Sequence, residues 1–381
     1  MVNYPRAEDF QGATLVGNWC NTCVPVYDVP NMHSLNQLVG YVKHINAGEG
    51  TVLYRGQCNL YKKVIPSIKH NPDQLLANEK RLQDSISAIM GDAPCLKFLG
   101  LRSTEVEGWS LYQNLVTILQ HYGAKTYCVD FVDNHWTALW FGLYEWNPAK
   151  NTYILRSDFG DNIDSTYIAL SNEMKEKDYP QAPTLETIEL DIEHIEKLQE
   201  HAKRGPIGIE ELVRRNKNAR LKARYREWER MCRNIHQHNE KIRQMENANH
   251  LYLFLYVAET NTSNLHGVYL GEKCYTIDLR KALPSTFLRP CSQHGWIVKG
   301  KNEGYDFNSN IACVIQVNIA LAKEMLGGGT LLSQENFFPD ETIDQGYHIL
   351  LERQKDSRLK SKFPKLLPPK MITDFGAKDA Q

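Results

Sequence analysis

Two charged side chains in this sequence stand where a charge must be either paired or functional. Arg55 follows the short apolar run 51–54, and Asp130 ends the run 126–130, in which apolar and β-branched residues dominate. A carboxylate between apolar neighbours is costly unless it is paired or does chemistry. A guanidinium on a rigid strand can hold phosphate oxygens through two parallel hydrogen bonds, and a carboxylate can offset positive charge that develops on a substrate.

Both residues also have structural interpretations, and the sequence leaves these open. Asp130 could cap the turn that follows it, and Arg55 could form a buried ion pair with Asp130. A third polar group, Gln293, lies in a glycine-containing loop, where it could bind a ligand or only anchor the loop. Ligands of α/β proteins collect outside strand ends, so we expect Arg55, Asp130 and Gln293 to line one cleft.

The elements that must position these residues are a mixture of helices and strands. Helical spacing of apolar residues predicts helices over 32–44, 75–90, 109–120, 136–144, 322–326 and 342–353. Strand signals stand at 51–54, 126–130, 152–155, 251–259, 267–278 and 311–320. Residues 1 to about 30 show little periodicity and predict an irregular lead-in. The fold class that follows is α+β, with a central mixed β-sheet and flanking helices.

Composition points to an ordinary globular chain. With 381 residues, 42% hydrophobic and 23% charged, it can bury a sizeable core as one or two domains. A formal net charge of −1 gives no overall attraction to nucleic acid or membrane. The first residues lack the basic and apolar blocks of a signal peptide, and the apolar runs are too short to span a bilayer. We therefore expect a cytoplasmic protein without membrane contact.

The nine cysteines lie mostly in apolar, strand-like settings, which predicts reduced and packed thiols. Cys20 and Cys23 form one CxxC motif, with His33 nearby. A zinc site would need a second pair of ligands at similar spacing, so we predict no metal. The two thiols are expected to be small buried groups in a surface turn.

Residues 171–247 change character and predict a helical insertion within a domain spanning 1–350. The part from 203 to 247 is rich in lysine and arginine and has neither glycine nor proline after Gly208. Aromatic residues alternate with the cations there, as in proteins that bind nucleic acid, but glutamates dilute the charge as on a solvated helix. Residues 355–381 are basic and proline-rich, which predicts a disordered tail.

Four short motifs together resemble the FRG domain family of bacterial proteins, over about residues 32–350. They are Tyr54-Arg55-Gly56-Gln57 with Pro66-Ser67-Ile68; Gln120-His121-Tyr122-Gly123 with Thr126, Val129-Asp130 and Ala138; Ser292-Gln293-His294-Gly295-Trp296; and Phe337-Phe338-Pro339-Asp340. Each motif alone is weak, and their order and content together carry the resemblance.

A second resemblance is to the arginine–serine–glutamate branch of the ADP-ribosyltransferases. It implies NAD as the substrate, an ADP-ribosyltransferase-like fold, and a role for Arg55 in holding the diphosphate. Asp130 or Thr126 takes the place of the small polar residue on a middle strand. The late glutamate of that branch falls on Gln293, which cannot supply a charge, so Asp130 or Glu335 is expected to supply it.

The remaining NAD contacts are expected from Gly56, which would let the backbone approach a ligand, and from Gln57, His121, Tyr122 and Thr126. The resemblance implies an ADP-ribosyltransferase or NAD glycohydrolase, in the role of a bacterial toxin or defence effector. Its acceptor would be an unknown protein or nucleic acid, with 203–247 as a possible contact surface. The alternative is a non-catalytic module that binds nucleotide or protein on the same scaffold.

Overall fold

The computed structural model describes residues 2–101, 110–147, 152–156, 178–184, 196–200, 209–262, 264–327 and 331–355. The chain divides into two compact units, one made of Met1–Gly160 with Asn249–Gln381 and the other of Asp161–Ala248. The second unit contains all of the expected insertion 171–247. The expected tail begins at Lys355, the last described residue, so the rest of that tail lies outside the described residues.

Twelve strands occur among the described residues: β1 Thr14–Asn18, β2 Pro25–Asp28, β3 Thr51–Gln57, β4 Cys128–Val132, β5 Tyr144–Asn147, β6 Thr152–Leu155, β7 His250–Ala258, β8 Asn264–Leu265, β9 Val268–Leu270, β10 Cys274–Asp278, β11 Gly295–Gly300 and β12 Ile311–Asn318. Ten of them form one sheet in the order β1-β2-β12-β7-β3-β4-β11-β10-β9-β8, and β5 pairs with β6. The β2–β12 pairing is parallel and the others are antiparallel. The predicted α+β class with a central mixed sheet is confirmed.

The large sheet is almost interrupted between β3 and β4. Strand β3 pairs with β7 along its whole length, and β4 pairs with β11 along its whole length. Between β3 and β4, only Tyr54 and Val132 are paired. Two halves of the sheet therefore meet at a single pair of residues, and a gap opens between the two strands beyond that pair.

The helices of the described residues are α1 Met32–Ile45, α2 Leu75–Met90, α3 Ala93–Phe98, α4 Leu111–His121, α5 His135–Leu143, α6 Ile209–Asn249, α7 Leu279–Ala282, α8 Arg289–Ser292, α9 Ile319–Met325, α10 Gln334–Phe337 and α11 Gln345–Lys355. Their starts follow from capping residues in the sequence. The Asn31 side chain accepts a hydrogen bond from the backbone of Ser34, and Asn134 does the same for Trp136. Ser110 begins α4 as part of a capping box.

Two sequence-based predictions of the fold were wrong. Residues 1–30 were expected to be irregular, but β1 and β2 form there and extend the sheet beyond β12. Asp130 was expected at the end of a strand, but β4 begins at Cys128 and Asp130 is its third residue. Short edge strands and strand boundaries depend on which neighbour offers backbone hydrogen bonds, and local sequence does not contain that information.

Glycines allow helix α5 to lie directly against strand β3. A Cβ atom placed on Gly56 would stand 1.7 Å from the carbonyl oxygen of Ala138, and one on Gly142 would stand 3.3 Å from Leu251. The glycine of the Tyr-Arg-Gly motif was predicted to let the backbone approach a ligand. In the structure its missing side chain makes room for α5.

We therefore expect Gly56→Ala to destabilise the fold strongly, at the upper end of the ~1–3 kcal/mol typical of overpacking, because the backbone of α5 would have to move. The control is Gly40→Ala on the exposed side of α1, where an added Cβ meets nothing within 4 Å. That change should stabilise the helix by up to about 1 kcal/mol. Urea unfolding of both variants measures the difference, and equal stabilities would show that α5 yields easily.

Helix α6 carries most of the basic residues of the second unit, and several of them are paired within the helix. Arg214 and Arg215 both contact Glu211 at 2.8 Å, and Arg230 lies 4.0 Å from Glu227. Trp228 donates from its indole nitrogen to the carbonyl of Pro180 at 2.8 Å. These contacts occupy part of the charge and one of the aromatic rings that the sequence had suggested for nucleic-acid binding.

A contact between α6 and nucleic acid remains a prediction. Replacing Arg220, Arg224 and Arg230 with Gln should barely change the melting temperature, because Gln and Arg have similar helix propensities. If the helix binds duplex DNA, the same change should weaken the binding and reduce its salt dependence, by roughly 0.9 in the logarithmic slope for each lost phosphate contact. Unchanged retention of the triple variant on a DNA column across a salt gradient would contradict such a contact.

Candidate functional site

A cavity of about 330 Å³ fills the gap between β3 and β4. Its two sides are the edges of these strands: Tyr54, Arg55 and Gly56 come from β3, and Asp130, Phe131 and Val132 come from β4. Among them, Tyr54 and Val132 are still paired. This volume lies at the lower end of the ~300–1,000 Å³ found for small-molecule sites. The cavity is therefore a consequence of the interrupted sheet, and it lies between two strands rather than outside their ends.

The remaining walls come from elements far apart in the sequence. The end of α4 contributes Gln120 and His121. An aromatic wall is formed by Phe141 of α5, Tyr153 of β6 and Phe338, and the rings of Tyr153 and Phe338 stack with centroids 5.0 Å apart. The cavity thus combines a few polar groups with flat apolar surfaces, which is the usual composition of a site for an organic ligand.

The Arg55 guanidinium reaches across the gap to the backbone of β4. Its Nη1 donates to the carbonyl oxygen of Asp130 at 2.8 Å, and its Nε is buried without a partner. If the β3–β4 pairing continued in register, Gly56 would lie opposite Asp130. Because the pairing stops before that position, the Asp130 carbonyl oxygen is not paired with the backbone of β3, and it accepts from the Arg55 side chain. The side-chain ion pair between Arg55 and Asp130, one of the two alternatives left open by the sequence, is not formed. Burial lowers the pKa of Arg55, and the charge of Asp130 partly counters that effect.

The Asp130 carboxylate is open to solvent through the cavity, although protein surrounds it on the other sides. Burial raises its pKa above the usual value, while the charge of Arg55 and the polar side chain of Gln120 counter part of that increase. Asp130 does not cap the following turn, because Asn134 has that role. The carboxylate instead lies on the wall of the cavity beside a guanidinium.

His121 and Gln293 complete the polar part of the wall. Burial and the nearby Arg289 lower the pKa of His121 to about 3, so its ring is neutral at physiological pH. Its Nε2 is buried without a partner. The Gln293 side-chain nitrogen donates to the carbonyl of Phe337 at 2.9 Å, so Gln293 both anchors its loop and lines the cavity. The structure thus brings Arg55, Asp130 and Gln293 to one cavity, as the sequence had suggested.

Four other residues predicted for the site do not line this cavity. Tyr122 is fully buried, and its hydroxyl donates to Asp344 at 2.5 Å. Thr126 is also fully buried, behind Gln120. Gln57 lies on the part of β3 beyond the cavity, and Glu335 is exposed in the first turn of α10. Motif membership alone did not separate residues of the wall from residues that support it.

A comparison with known protein families finds a match for the part of the chain that contributes most of the residues lining this cavity. Residues 50–151 match the family model of the FRG domain. This part of the chain is an FRG domain. The predicted resemblance is confirmed there, over a shorter stretch than the expected 32–350. No curated protein and no solved structure matches the chain.

The matched stretch contains Arg55, Gln120, His121 and Asp130, which are four of the cavity's polar residues. Gln293 and the aromatic side chains of Tyr153 and Phe338 lie outside it. The FRG domain match therefore covers the polar side of the cavity, and the later part of the chain closes it.

Sequence reasoning missed one buried cation behind the aromatic wall. Arg289 is 1% exposed, and its guanidinium lies 4.5 Å from the ring centres of Tyr122 and Tyr347 and 5.3 Å from that of Phe338. Its backbone nitrogen donates to Asp344 at 3.1 Å. Only the fold shows that Arg289 lies beside His121, whose carbonyl oxygen accepts from its Nη1 at 3.5 Å.

A surface ion cluster fixes the loop that carries Gln293. Asp133, next to the end of β4, contacts Arg280 at 2.5 Å and the ring of His294 at 3.3 Å. Arg280 also contacts Asp278 at 2.9 Å, and the Asp278 side chain is completely buried. His294 has a φ of 53°, so the turn after Gln293 needs this support to place a residue with a Cβ in the left-handed region.

The CxxC motif takes no part in the cavity. Cys20 and Cys23 are exposed, so the prediction of two buried thiols was wrong. Among the described residues, no group of His, Cys, Asp and Glu side chains is arranged to hold a metal ion. In the described part of the chain, no helix has the length and apolarity needed to cross a membrane.

We expect Arg55→Met to change the free energy of unfolding by no more than about 1 kcal/mol, because the variant removes a buried cation whose Nε has no partner. Arg280→Met is the contrasting variant. It leaves the buried Asp278 carboxylate with Lys281 at 3.5 Å as its cationic partner and with the backbone N–H of residue 280 at 3.2 Å, and it should cost about 3–5 kcal/mol. Urea unfolding compares the two, and an equally large loss for Arg55→Met would assign Arg55 a structural role.

Proposed function

We propose that the cavity binds NAD and cleaves its nicotinamide–ribose bond. The observation that carries this proposal is the common position of Arg55 and Asp130, with an unpartnered guanidinium nitrogen beside an accessible carboxylate in one aromatic-walled cavity. The guanidinium is suited to the diphosphate, which carries two negative charges. The aromatic side chains of Tyr153 and Phe338 offer flat surfaces for the nicotinamide or adenine ring.

The chemistry follows from the charges. When the bond between nicotinamide nitrogen and ribose C1′ breaks, its electron pair stays with nicotinamide, which leaves as a neutral ring. Positive charge then develops on the ribose, and the Asp130 carboxylate stabilises it. Water or an acceptor nucleophile forms the new bond to C1′ and loses a proton. Water makes the protein an NAD glycohydrolase, and a protein or nucleic-acid acceptor makes it an ADP-ribosyltransferase.

Asp130 is the better candidate for the stabilising charge than the two alternatives considered from sequence. Gln293 is uncharged, and its amide nitrogen is already bonded to Phe337. Glu335 is exposed and outside the cavity wall. Gln293 retains a carbonyl oxygen that can accept a hydrogen bond from a ribose hydroxyl. A role as a bacterial toxin or defence effector, and the likeness to ADP-ribosyltransferases, belong to this proposal.

The test is incubation with NAD while release of nicotinamide is followed. We expect Asp130→Asn to lower the rate by about 10²–10³-fold, the usual loss for one group that stabilises transition-state charge, while NAD still binds through Arg55. Glu335→Gln should leave the rate unchanged. A loss of activity in Glu335→Gln with none in Asp130→Asn would reverse this assignment. NAD binding without release by the unmodified protein would favour the non-catalytic module.

The pH dependence provides a second test. Asp130 acts as a carboxylate, so the rate should fall as pH decreases through its pKa, and because burial raises that pKa the loss should begin above the range of an exposed aspartate. His121 has a pKa of about 3 and stays neutral, so its protonation should add no step near pH 6.5. Measuring the rate of nicotinamide release between pH 4 and 9 tests the expectation for Asp130 and the one for His121. A step near 6.5 that His121→Asn removes would contradict this account.

A further inference from the structure

A second pocket adjoins the main cavity at Gly123. It has a volume of about 150 Å³ and is lined by residues of helix α2 and of the turn that follows α4. Gly123 belongs to the walls of both spaces. It has no side chain to separate them, and its φ of 103° lies in the left-handed region, where glycine is favoured. A ligand of the main cavity that passes Gly123 therefore reaches the second pocket.

The main cavity is small for a dinucleotide. Its volume of about 330 Å³ lies at the lower end of the range for sites that take one small molecule. A dinucleotide consists of two nucleosides joined by a diphosphate, and each nucleoside is by itself the size of a small-molecule ligand. If the nicotinamide riboside and the diphosphate occupy the main cavity, the adenosine half must lie outside it. The pocket beyond Gly123 offers space for part of that half.

The second pocket carries positive charge. Arg81 of α2 and Lys125 of the turn after α4 both line it and are exposed, and the described residues in its wall include no carboxylate. Within the described part of the chain, none of the ion pairs involves either cation. Arginine and lysine side chains without carboxylate partners are suited to phosphate oxygens, which arginine can bind through two parallel hydrogen bonds.

A buried amide adds a hydrogen-bond donor to the same wall. Asn78 of α2 lines the pocket and is 7% exposed, and its Nδ2 is buried without a hydrogen-bond partner. Most buried polar groups are paired, because an unpaired donor destabilises the fold. An oxygen atom of a ligand in this pocket would supply the acceptor that Asn78 lacks.

We propose that the second pocket is a subsite for a phosphate monoester on the adenosine ribose, so that the protein prefers NADP to NAD. A phosphate monoester carries a charge of about −1.5 to −2 at pH 7 and several acceptor oxygens, which match the two cations and the amide donor. The ribose of NAD offers only neutral hydroxyls to them. This assignment deepens the proposed function and rests on it. The diphosphate stays with Arg55, so the two anionic groups of NADP have separate sites.

The experiment measures the binding of ADP-ribose and of its 2′-phosphate to the full chain by isothermal titration calorimetry. Neither ligand contains the nicotinamide–ribose bond, so cleavage does not disturb the measurement. The unmodified protein should bind the 2′-phosphate about 10–100-fold more tightly, as expected for hydrogen bonds to a charged group. The double variant Arg81→Gln with Lys125→Gln should bind both ligands equally. Both positions are exposed, so the variant should fold. Asn78→Leu removes the amide donor and should reduce the preference several-fold.

The matched control is Lys80→Gln with Lys97→Gln. These lysines are exposed on α2 and α3, they do not line the pocket, and their replacement removes the same charge. The control should keep the preference for the 2′-phosphate. The assignment is overturned if the unmodified protein binds the two ligands equally, if the Arg81 and Lys125 double variant keeps the preference, or if the control loses it. Equal losses for both ligands in that double variant would also overturn it, because the pocket would then hold a group that they share.

Nicotinamide release from NADP and from NAD separates this assignment from the proposed function. A preference for the 2′-phosphate that depends on Arg81 and Lys125 supports the subsite whether or not nicotinamide is released. In that case, absence of release would overturn only the cleavage chemistry. Equal binding of the two ligands, with nicotinamide released from NAD and NADP at the same kcat/KM, would overturn the subsite and leave the cleavage intact. Binding of neither ligand would overturn both proposals.

Discussion

The single residue pair that joins β3 to β4 is the constraint on which the rest of the structure depends. A continuous ladder would bond the edges of both strands and leave no space between them. Because the pairing stops after Tyr54 and Val132, backbone groups on both edges need other partners. The Arg55 side chain is such a partner for the Asp130 carbonyl oxygen, and the gap between the two strands is the cavity. Helix α5 lies against β3 beside this gap, at a distance that only Gly56 permits.

Two buried arginines near the cavity are held in different ways. Arg289 lies between aromatic rings and its backbone nitrogen donates to Asp344, while its Nε, like that of Arg55, is buried without a hydrogen-bond partner. Arg55 has one hydrogen bond and an orphan nitrogen. A buried cation with open donors costs stability, and such a cost is common where a protein must bind an anion. Position separates the two arginines: Arg55 lines the cavity and Arg289 does not, which is why the proposed ligand contact is Arg55.

The residues that line the cavity do not all belong to the stretch that matches the FRG domain. The matched residues provide the guanidinium and the carboxylate, from β3 and β4, and Phe141 of the aromatic wall. Tyr153, Phe338 and Gln293 come from segments that follow the matched stretch. Variation in those later segments would change the shape of the cavity while leaving its charged side intact. The charged side therefore lies within the FRG domain match, and two of the three aromatic side chains of the wall lie outside it.

The sequence by itself determined most of the helices and the chemical types at the site. Regular apolar spacing and the caps at Asn31 and Asn134 define α1 and α5. Arg55 and Asp130 could be selected because charges beside apolar strands need an explanation. Thr126 and Tyr122 could not be assigned correctly, because a polar residue in a motif looks the same whether it touches a ligand or supports a neighbour.

Tertiary structure decided the location of the site and the partner of each charge. The interruption between β3 and β4 arises from pairings with β7 and β11, which lie more than a hundred residues away in sequence. Local residues do not contain that information, so Asp130 was expected at a strand end instead of on the wall of a gap between strands. The same distant pairings determine that Gln293 faces the cavity while Glu335 stays outside it.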